Sequence, residues 1–479
     1  MQGQANPLTK NLVSLTLSEM VTAVRQKTVS PVELVEAHLE QITRLNPQLN
    51  AFVYLDAEAA RRQAKASESA VLRGEAIGPL CGVPLSIKSS IDVAAWPVWC
   101  GSKLRKHCMA VEDAPLVSRL RRAGAILLGN TNAPEFLMAY ETDNVVTGRT
   151  NNPWNLSHTP GGSSGGEAAA IAAHCSAGGV GSDGGGSIRV PAHYCGICGL
   201  KPTPGRIPAT GHFPASAGPF ALLGVVGPMA RTVADIKMLF ETMMGPDCGD
   251  PFSAPIPLRQ PAQTEIMKLR IGFFEEDGRT PVTAETRAAI RKAVAGLSAA
   301  GMNVEPFLPG GLEAARRIWW NFFGRAGEFV LGPLVAGQET DLSPLFSEFL
   351  RYVRKETGLT LNEFMNTMLE RDAVRTEFLR QMEKYPVLIC PVCSVPAFRH
   401  GERVWDVDGR KVEYFQAMNY CQWFNALGNP AAVVPVGRSA EGMPIGVQVV
   451  GQPYAEEIVL AVAQIIEETA GNSCDPPLL

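Results

Sequence analysis

This sequence lacks the marks of membrane, nucleic-acid and metal proteins. No part of its 479 residues forms an apolar run of bilayer-spanning length, and the opening "MQGQANPLTKNLVSLTLSEMVTAVRQKTVS" holds no uninterrupted apolar core of the signal-peptide kind. A formal net charge of −4 leaves no basic excess for a nucleic-acid backbone or an anionic lipid surface. The 7 histidines include no His-Glu-x-x-His spacing. The 11 cysteines are an odd count without a secretion signal, so reduced thiols are expected rather than a disulfide framework. These absences predict a cytoplasmic protein with no membrane span, no nucleic-acid partner, no metal and no other cofactor.

Two Cys-x-x-Cys pairs, Cys195/Cys198 and Cys390/Cys393, could be drawn as a four-thiolate zinc site. The second lies in "YPVLICPVCSVPAF", which reads as a buried strand and a Pro-rich turn, where cysteine serves as a small packing residue.

What the chain does have is the balance of a globular enzyme: 46% hydrophobic and 19% charged residues, with 46 glycines and 36 prolines. Ser30, Pro31 and Glu33 predict the capped start of a helix ending near Asn46-Pro47. "AEAARRQAKASES" and "PLVSRLRRAG" are further helices, the latter leading into the strand "AILLGN". "KLRIGFF", "TAETRAAIRKAVAGLSAAG" and "MNVEPF" make a strand-helix-strand unit; "YPVLICP", "PAAVVPV" and "PIGVQVVG" are strands before a last helix, "AEEIVLAVAQIIEETA". This alternation predicts an α/β layered protein. Residues 245–265 carry no periodicity and read as a linker or a surface excursion. Residues 311–384 read as helical, with the cluster "RIWWNFFGRAGEF" serving either core packing or a pocket wall.

The chemistry concentrates in glycine. "TPGGSSGGEAAAIAAHCSAGG" and "GSDGGGSIRVPA" place two glycine-rich loops on either side of an alanine-rich helix. Neither fits Gly-x4-Gly-Lys-Ser/Thr or a strand-bounded Gly-x-Gly-x-x-Gly, which disfavours a phosphate cradle. Tight turns would explain the glycines; so would acyl transfer, because small residues let backbone N–H groups converge beside a serine, as an oxyanion requires. Ser187 would need a base. His193 gives no sign of folding back onto it and reads as structural or exposed. Lys88, after the apolar "CGVPLSI", is either a surface strand end or an amine whose pKa falls by burial.

"GVPLSIKSSIDV", "TPGGSSGGEAAA", "GSDGGGSIRVPA" and "CGICGLKPTPGRIP", in this order, resemble the amidase signature family of Ser-Ser-Lys hydrolases. "GPMARTVADI" and the closing "GNPAAVVPVGRSAEGMPIGVQVVGQPYAEEIVL" match the family's pattern too, residues 245–400 only loosely. "TNAPEFLMAY" and "GRTNNPW" are similar to the branch of fatty acid amide hydrolases and bacterial aryl acylamidases. The resemblance implies one domain over 1–479: a large twisted mixed β-sheet with helices on both faces, as an α/β/α sandwich. Within it, 1–65 would be an N-terminal helical segment, 66–245 the catalytic core, 246–400 a variable, largely helical substrate side, and 401–479 a return to the core.

The resemblance also implies roles. Ser187 would be the nucleophile, Ser163, in a cis linkage after Gly162, the proton relay, and neutral Lys88 the base. Backbone N–H groups of Gly184, Gly185, Gly186 and Ser187 would bind the oxyanion, while Ser164, Asp183 and Arg189 brace the loops. Leu137, Met138 and Tyr140 fall where the hydrolase branch contacts its acyl chain. The family more often has Thr-Asp-Thr-Gly-Gly-Ser where this chain has Ser182-Asp183-Gly184-Gly185-Gly186-Ser187, changes that keep the donors. Val190 stands where the glutamine-using members of the amidotransferase A type typically carry glutamine. The expected function is hydrolysis of apolar or aryl amides, and of carbamates or urethanes, as small-molecule substrates, by a protein for which a homodimer is compatible. The alternatives are a catalytically silent scaffold and a glutamine-dependent amidotransferase component of the A type.

Overall fold

The alternating strands and helices of the sequence assemble around one mixed sheet. A computed structural model describes residues 12–75, 78–356, 358–471 and 475–479. Its strands are β1 (Phe52–Leu55), β2 (Pro84–Lys88), β3 (Ile126–Thr131), β4 (Gly178–Asp183), β5 (Cys198–Lys201), β6 (Val225–Ala230), β7 (Arg270–Phe273), β8 (Asn303–Pro306), β9 (Val387–Pro391), β10 (Val404–Val407), β11 (Arg410–Glu413), β12 (Ala431–Arg438) and β13 (Pro444–Gly451). Eleven form one sheet in the order β1-β3-β2-β4-β6-β5-β12-β13-β9-β7-β8, and β10 and β11 form a separate pair. β2 runs parallel to both β3 and β4, and β7 parallel to β8 and β9; the other neighbours in the large sheet are antiparallel.

Successive side chains of a strand point to opposite faces, and here both faces are dry. Along β9, Val387 and Ile389 join one hydrophobic cluster while Leu388 and Cys390 join another. Along β3, Leu127 faces the first cluster and Ile126 and Leu128 a third. Helices therefore cover the sheet on both sides, as an α/β sandwich requires.

Local signals hold well. Ser30 accepts a hydrogen bond from the Glu33 N–H at 3.1 Å while Glu33 accepts from the Ser30 N–H, starting the helix Pro31–Leu49. That helix does not stop near Pro47 as expected: it passes through the proline and ends where Asn50, at φ 51°, donates its N–H to Asn46. The Asn46 side chain takes the next two N–H groups, of Ala51 and Phe52, so an asparagine pair terminates the helix. Residues 245–265 form a surface excursion pinned by two arginines, Arg119 on the carbonyls of Gly245 and Pro246 and Arg206 on that of Ile256. The stretch 311–384, expected to be mostly helical, carries the helices Leu312–Trp320, Ala326–Val335, Pro344–Val353 and Leu361–Lys384, with one π-type turn at Asn321–Arg325.

The larger departure is Gly178–Asp183. Sequence reading takes it as glycine-rich loop after an alanine-rich helix; it is a central strand between β2 and β6, entered from the helix Gly165–Ala172. Strand propensity would place β-branched residues here, but the space is already filled. A Cβ on Gly179 would lie 1.9 Å from Glu167 Oε1 and 2.4 Å from the Ser86 carbonyl oxygen, and one on Gly181 would lie 2.8 Å from Ser164 Oγ. Glycine lets the helix press against the strand. Gly179→Ala is therefore expected to destabilise the protein by roughly 1–3 kcal/mol or more, since neither the helix nor β2 can yield. Gly358→Ala, at a site with nothing within 4 Å of the added carbon, should leave the melting temperature unchanged; equal melting temperatures for the two variants would refute this account.

Candidate active site

Parallel pairing of β2 and β4, with Ile87 opposite Val180, brings their carboxyl ends to one edge of the sheet, the usual location of sites in α/β proteins. Lys88 is the last residue of β2, and Ser182 and Asp183 end β4. Ser164 immediately precedes the helix Gly165–Ala172, its hydroxyl turned to Ser182 and Lys88 rather than to the helix N-terminus, and before it lies Ser163, joined to Gly162 by a cis peptide bond. Beyond β4, Gly184–Ser187 form the loop into the short helix Arg189–Cys195. Ser163, Ser182 and Ser187 open on one pocket.

Lys88 is the centre of this arrangement. It is fully buried, and its Nζ lies 2.7 Å from Ser163 Oγ, 2.9 Å from Ser164 Oγ and 3.0 Å from Ser182 Oγ. Ser164 itself donates to the Ser182 carbonyl and accepts from the Ser182 N–H, so its proton is engaged away from the amine. A neutral amine has two protons and one lone pair; three hydroxyl neighbours match that count if Ser163 donates to the lone pair.

Burial pulls the Lys88 pKa down to about 7, against the weaker raising influence of Cys100, Asp183 and Glu167. None of these three forms an ion pair with it. Burial pushes the Cys100 thiol up to about 12 and the Glu167 carboxyl up to about 7, the latter while Ser86 and Thr131 hydrogen-bond its two oxygens. Asp183 belongs to Arg189. Burial alone would raise this carboxyl, yet the Arg189 charge and hydrogen bonds overcome it and hold the pKa far below the usual carboxylate range.

The Asp183–Arg189 pair is completely buried, and every guanidinium proton has an acceptor. Nε and Nη2 donate to the two Asp183 oxygens at 3.0 Å each; Nη2 also reaches Asn425 Oδ1, and Nη1 serves the Cys421 carbonyl and Gln448 Oε1. Asp183 in turn accepts the N–H groups of Gly186 at 2.7 Å and Ile188 at 3.1 Å, and an Asn425 amide proton at 3.0 Å. One carboxylate thus folds the loop around Ser187.

The expected residues divide into three groups. Lys88, Ser163 and Ser164 are in contact, and Ser187 faces the same pocket; the Ser164 N–H donates to the Ser187 carbonyl at 3.1 Å. Leu137 and Met138 line the pocket beside Phe136 and Phe323. Two expectations change. Tyr140 is buried behind the loop, its hydroxyl donating to the Gly185 carbonyl at 2.9 Å, so it braces the loop and does not line the pocket. Gly186 is spent as a donor, because Asp183 already holds its N–H. Gly184, Gly185 and Ser187 keep N–H groups without an acceptor among the described residues.

The aromatic cluster serves both roles weighed for it: Trp319 Nε1 donates to the Gly184 carbonyl at 2.8 Å, and Phe323, stacked on Trp319 at 4.8 Å, walls the pocket. His193 is buried and accepts the Gly446 N–H at 2.7 Å, a structural role. Cys195 and Cys198 sit in different hydrophobic clusters, and among the described residues no group of His, Cys, Asp and Glu is arranged to hold a metal. The residues missed in the sequence are Ser182, Glu167, Asn425 and Gln448. Ser182, Glu167 and Gln448 lie inside the quoted motifs without being marked as site residues, whereas Asn425 lies outside them; Asn425 and Gln448 reach Arg189 from more than two hundred positions away.

Known proteins share this arrangement of the chain. The family model for amidases matches residues 33–460. An indoleacetamide hydrolase of Bradyrhizobium diazoefficiens is 33% identical over 462 residues, 95% of this chain and 86% of that protein. The A component of a glutamyl-tRNA(Gln) amidotransferase from Methylacidiphilum infernorum is 32% identical over 488 residues, 96% of this chain and 95% of that one. The crystal structure of a bacterial aryl acylamidase superposes with a TM-score of 0.84 at 26% identity, covering 95% of this chain and 96% of that one. With a buried lysine, paired serines and a glycine loop held together by an α/β sheet, this chain belongs to the amidase family and is an amide hydrolase acting on carbon–nitrogen bonds.

Proposed function

We propose that the chain hydrolyses amides of apolar or aryl groups, and related carbamates, through an acyl-enzyme on Ser187. The observation that carries this reading is Lys88, an amine buried without a carboxylate partner, 2.7 Å from the Ser163 hydroxyl in the pocket that Ser187 faces. Neutral Lys88 accepts the Ser163 proton, Ser163 takes the proton of Ser187, and Ser187 Oγ adds to the carbonyl carbon. The carbonyl π pair moves onto oxygen, where the N–H groups of Gly184, Gly185 and Ser187 receive it. When the C–N bond breaks, its electron pair leaves with nitrogen, which takes the proton back from Lys88 by way of Ser163. Water then adds to the acyl carbon by the same relay, and Ser187 leaves with its proton restored.

The pocket supports the substrate class. Phe136, Leu137, Met138, Pro214, Phe220 and Phe323 offer an apolar wall, and its charged lining residue, Asp183, is already engaged with Arg189. Free glutamine would bring an ammonium and a carboxylate to a wall with no counter-charge for either. Val190, buried against Gly186, likewise replaces the polar side chain typical of the glutamine-using relatives. Indoleacetamide and aryl amides, by which two of the similar proteins are named, are neutral aromatic substrates that such a wall would accept.

Two outcomes test the reading. Ser187→Ala is expected to lose on the order of 10⁴-fold in anilide turnover, with an unchanged melting temperature, and to escape labelling by a fluorophosphonate that modifies the wild type; undiminished turnover would overturn it. The pH dependence has a definite sign. Below about 7 the Lys88 amine is protonated and inactive as a base, so kcat/KM should climb with pH toward 7 and level off above it. A chemistry-limited rate that is flat from about pH 5 to 10 contradicts a basic role for Lys88.

A further inference from the structure

We propose that His212 is a specificity-determining residue: its Nε2 accepts a hydrogen bond from the N–H of the amide bound at Ser187, so the pocket selects substrates that carry that proton. The inference rests on the hydrolase reading above and adds the chemistry of recognition. The chain beyond Lys88 is laced to the His212 loop, with the Asp92 N–H on the Gly211 carbonyl at 2.8 Å, the Phe213 N–H on the Ser90 carbonyl at 2.8 Å, and a bridge between Ile91 and His212. His212 is thereby held beside the end of β2, and it lines the same pocket as Ser163 and Ser187.

Its tautomer follows from one contact. Nδ1 lies 2.9 Å from the Pro214 carbonyl oxygen, which can only accept, so Nδ1 carries the proton and Nε2 the lone pair. Nε2 is shut off from solvent and has no hydrogen-bond partner among the described residues. Burial, followed by the Lys88 charge, lowers the imidazole to about 4, which keeps the ring neutral while the enzyme works and excludes it as a proton donor.

A buried acceptor left unpaired is costly, and the pocket offers it little. Phe136, Leu137, Met138, Phe220 and Phe323 have no side-chain donor, and none of the pocket's hydroxyls, those of Ser163, Ser182, Ser187 and Ser216, is hydrogen-bonded to Nε2. The donor must then arrive with the substrate. An amide N–H supplies it; an ester places a second lone pair opposite Nε2.

The test compares a 4-nitroanilide with the 4-nitrophenyl ester of the same acyl group, using wild type, His212→Leu and His212→Gln. The amide-to-ester ratio of kcat/KM should fall about tenfold to a hundredfold in His212→Leu and return to within a few-fold of wild type in His212→Gln, whose side-chain oxygen restores an acceptor. Equal losses on both substrates would mean that the imidazole only supports the loop, and would overturn the proposal. Should the leucine variant fail to fold, calorimetry on Ser187→Ala, which leaves His212 intact, decides the matter. Anilide binding at least tenfold tighter than ester binding is expected, and equal affinities refute it. Hydrolysis of neither substrate by the wild type would instead remove the Ser187 reading, and this inference with it.

Discussion

An amine in a protein interior keeps its charge only if a counter-ion stays with it, and Lys88 has none. The surroundings are arranged so that none becomes available. Asp183 has an oxygen for each of two Arg189 nitrogens, and the oxygens of Glu167 are occupied by Ser86 and Thr131. Were either carboxylate free, Lys88 would be half of an ordinary buried ion pair, protonated and useless as a base. Residues that never meet the substrate, Arg189, Asn425 and Gln448, therefore bear on the protonation of the one that activates it.

Low pKa by burial is not sufficient. Lys201 is also fully buried and also pulled down to about 7, by burial and then by the Arg189 charge, but its Nζ donates to the Pro202 carbonyl. Lys88 differs in its neighbours: three hydroxyls, one of which can pass a proton toward Ser187. The same economy of contacts prepares the oxyanion loop. Trp319 and Tyr140 hold the carbonyls of Gly184 and Gly185, while Asp183 gathers the N–H groups of Gly186 and Ile188. The Gly184 carbonyl shares its peptide plane with the Gly185 N–H, so the Trp319 bond orients that donor before any substrate binds, while Tyr140 and Asp183 fix the next plane from its two ends.

Glycine in β4 is where the fold and the site meet. The strand gives up side chains on one face so that Glu167 and Ser164 can sit against it, which brings the relay serines within reach of the lysine on the adjacent strand. A composition that reads as a loop is the condition for that close approach.

Much of this protein was legible in one dimension. Capping signals, alternating strands and amphipathic helices are short-range properties, so Ser30 and Glu33, "AILLGN" and the final helix could be read directly, and motif order located Lys88, Ser163, Ser187, Asp183 and Arg189. What required the folded chain were distances between remote segments: that β4 is a strand, that Gly186 is consumed by Asp183, that Tyr140 stands behind the loop, and that Asn425 and Gln448 complete the guanidinium. The reason is physical. Backbone preference and periodicity are written in neighbouring residues, whereas the desolvation of an amine and the allotment of each proton to an acceptor are settled only when strands far apart in sequence close around them.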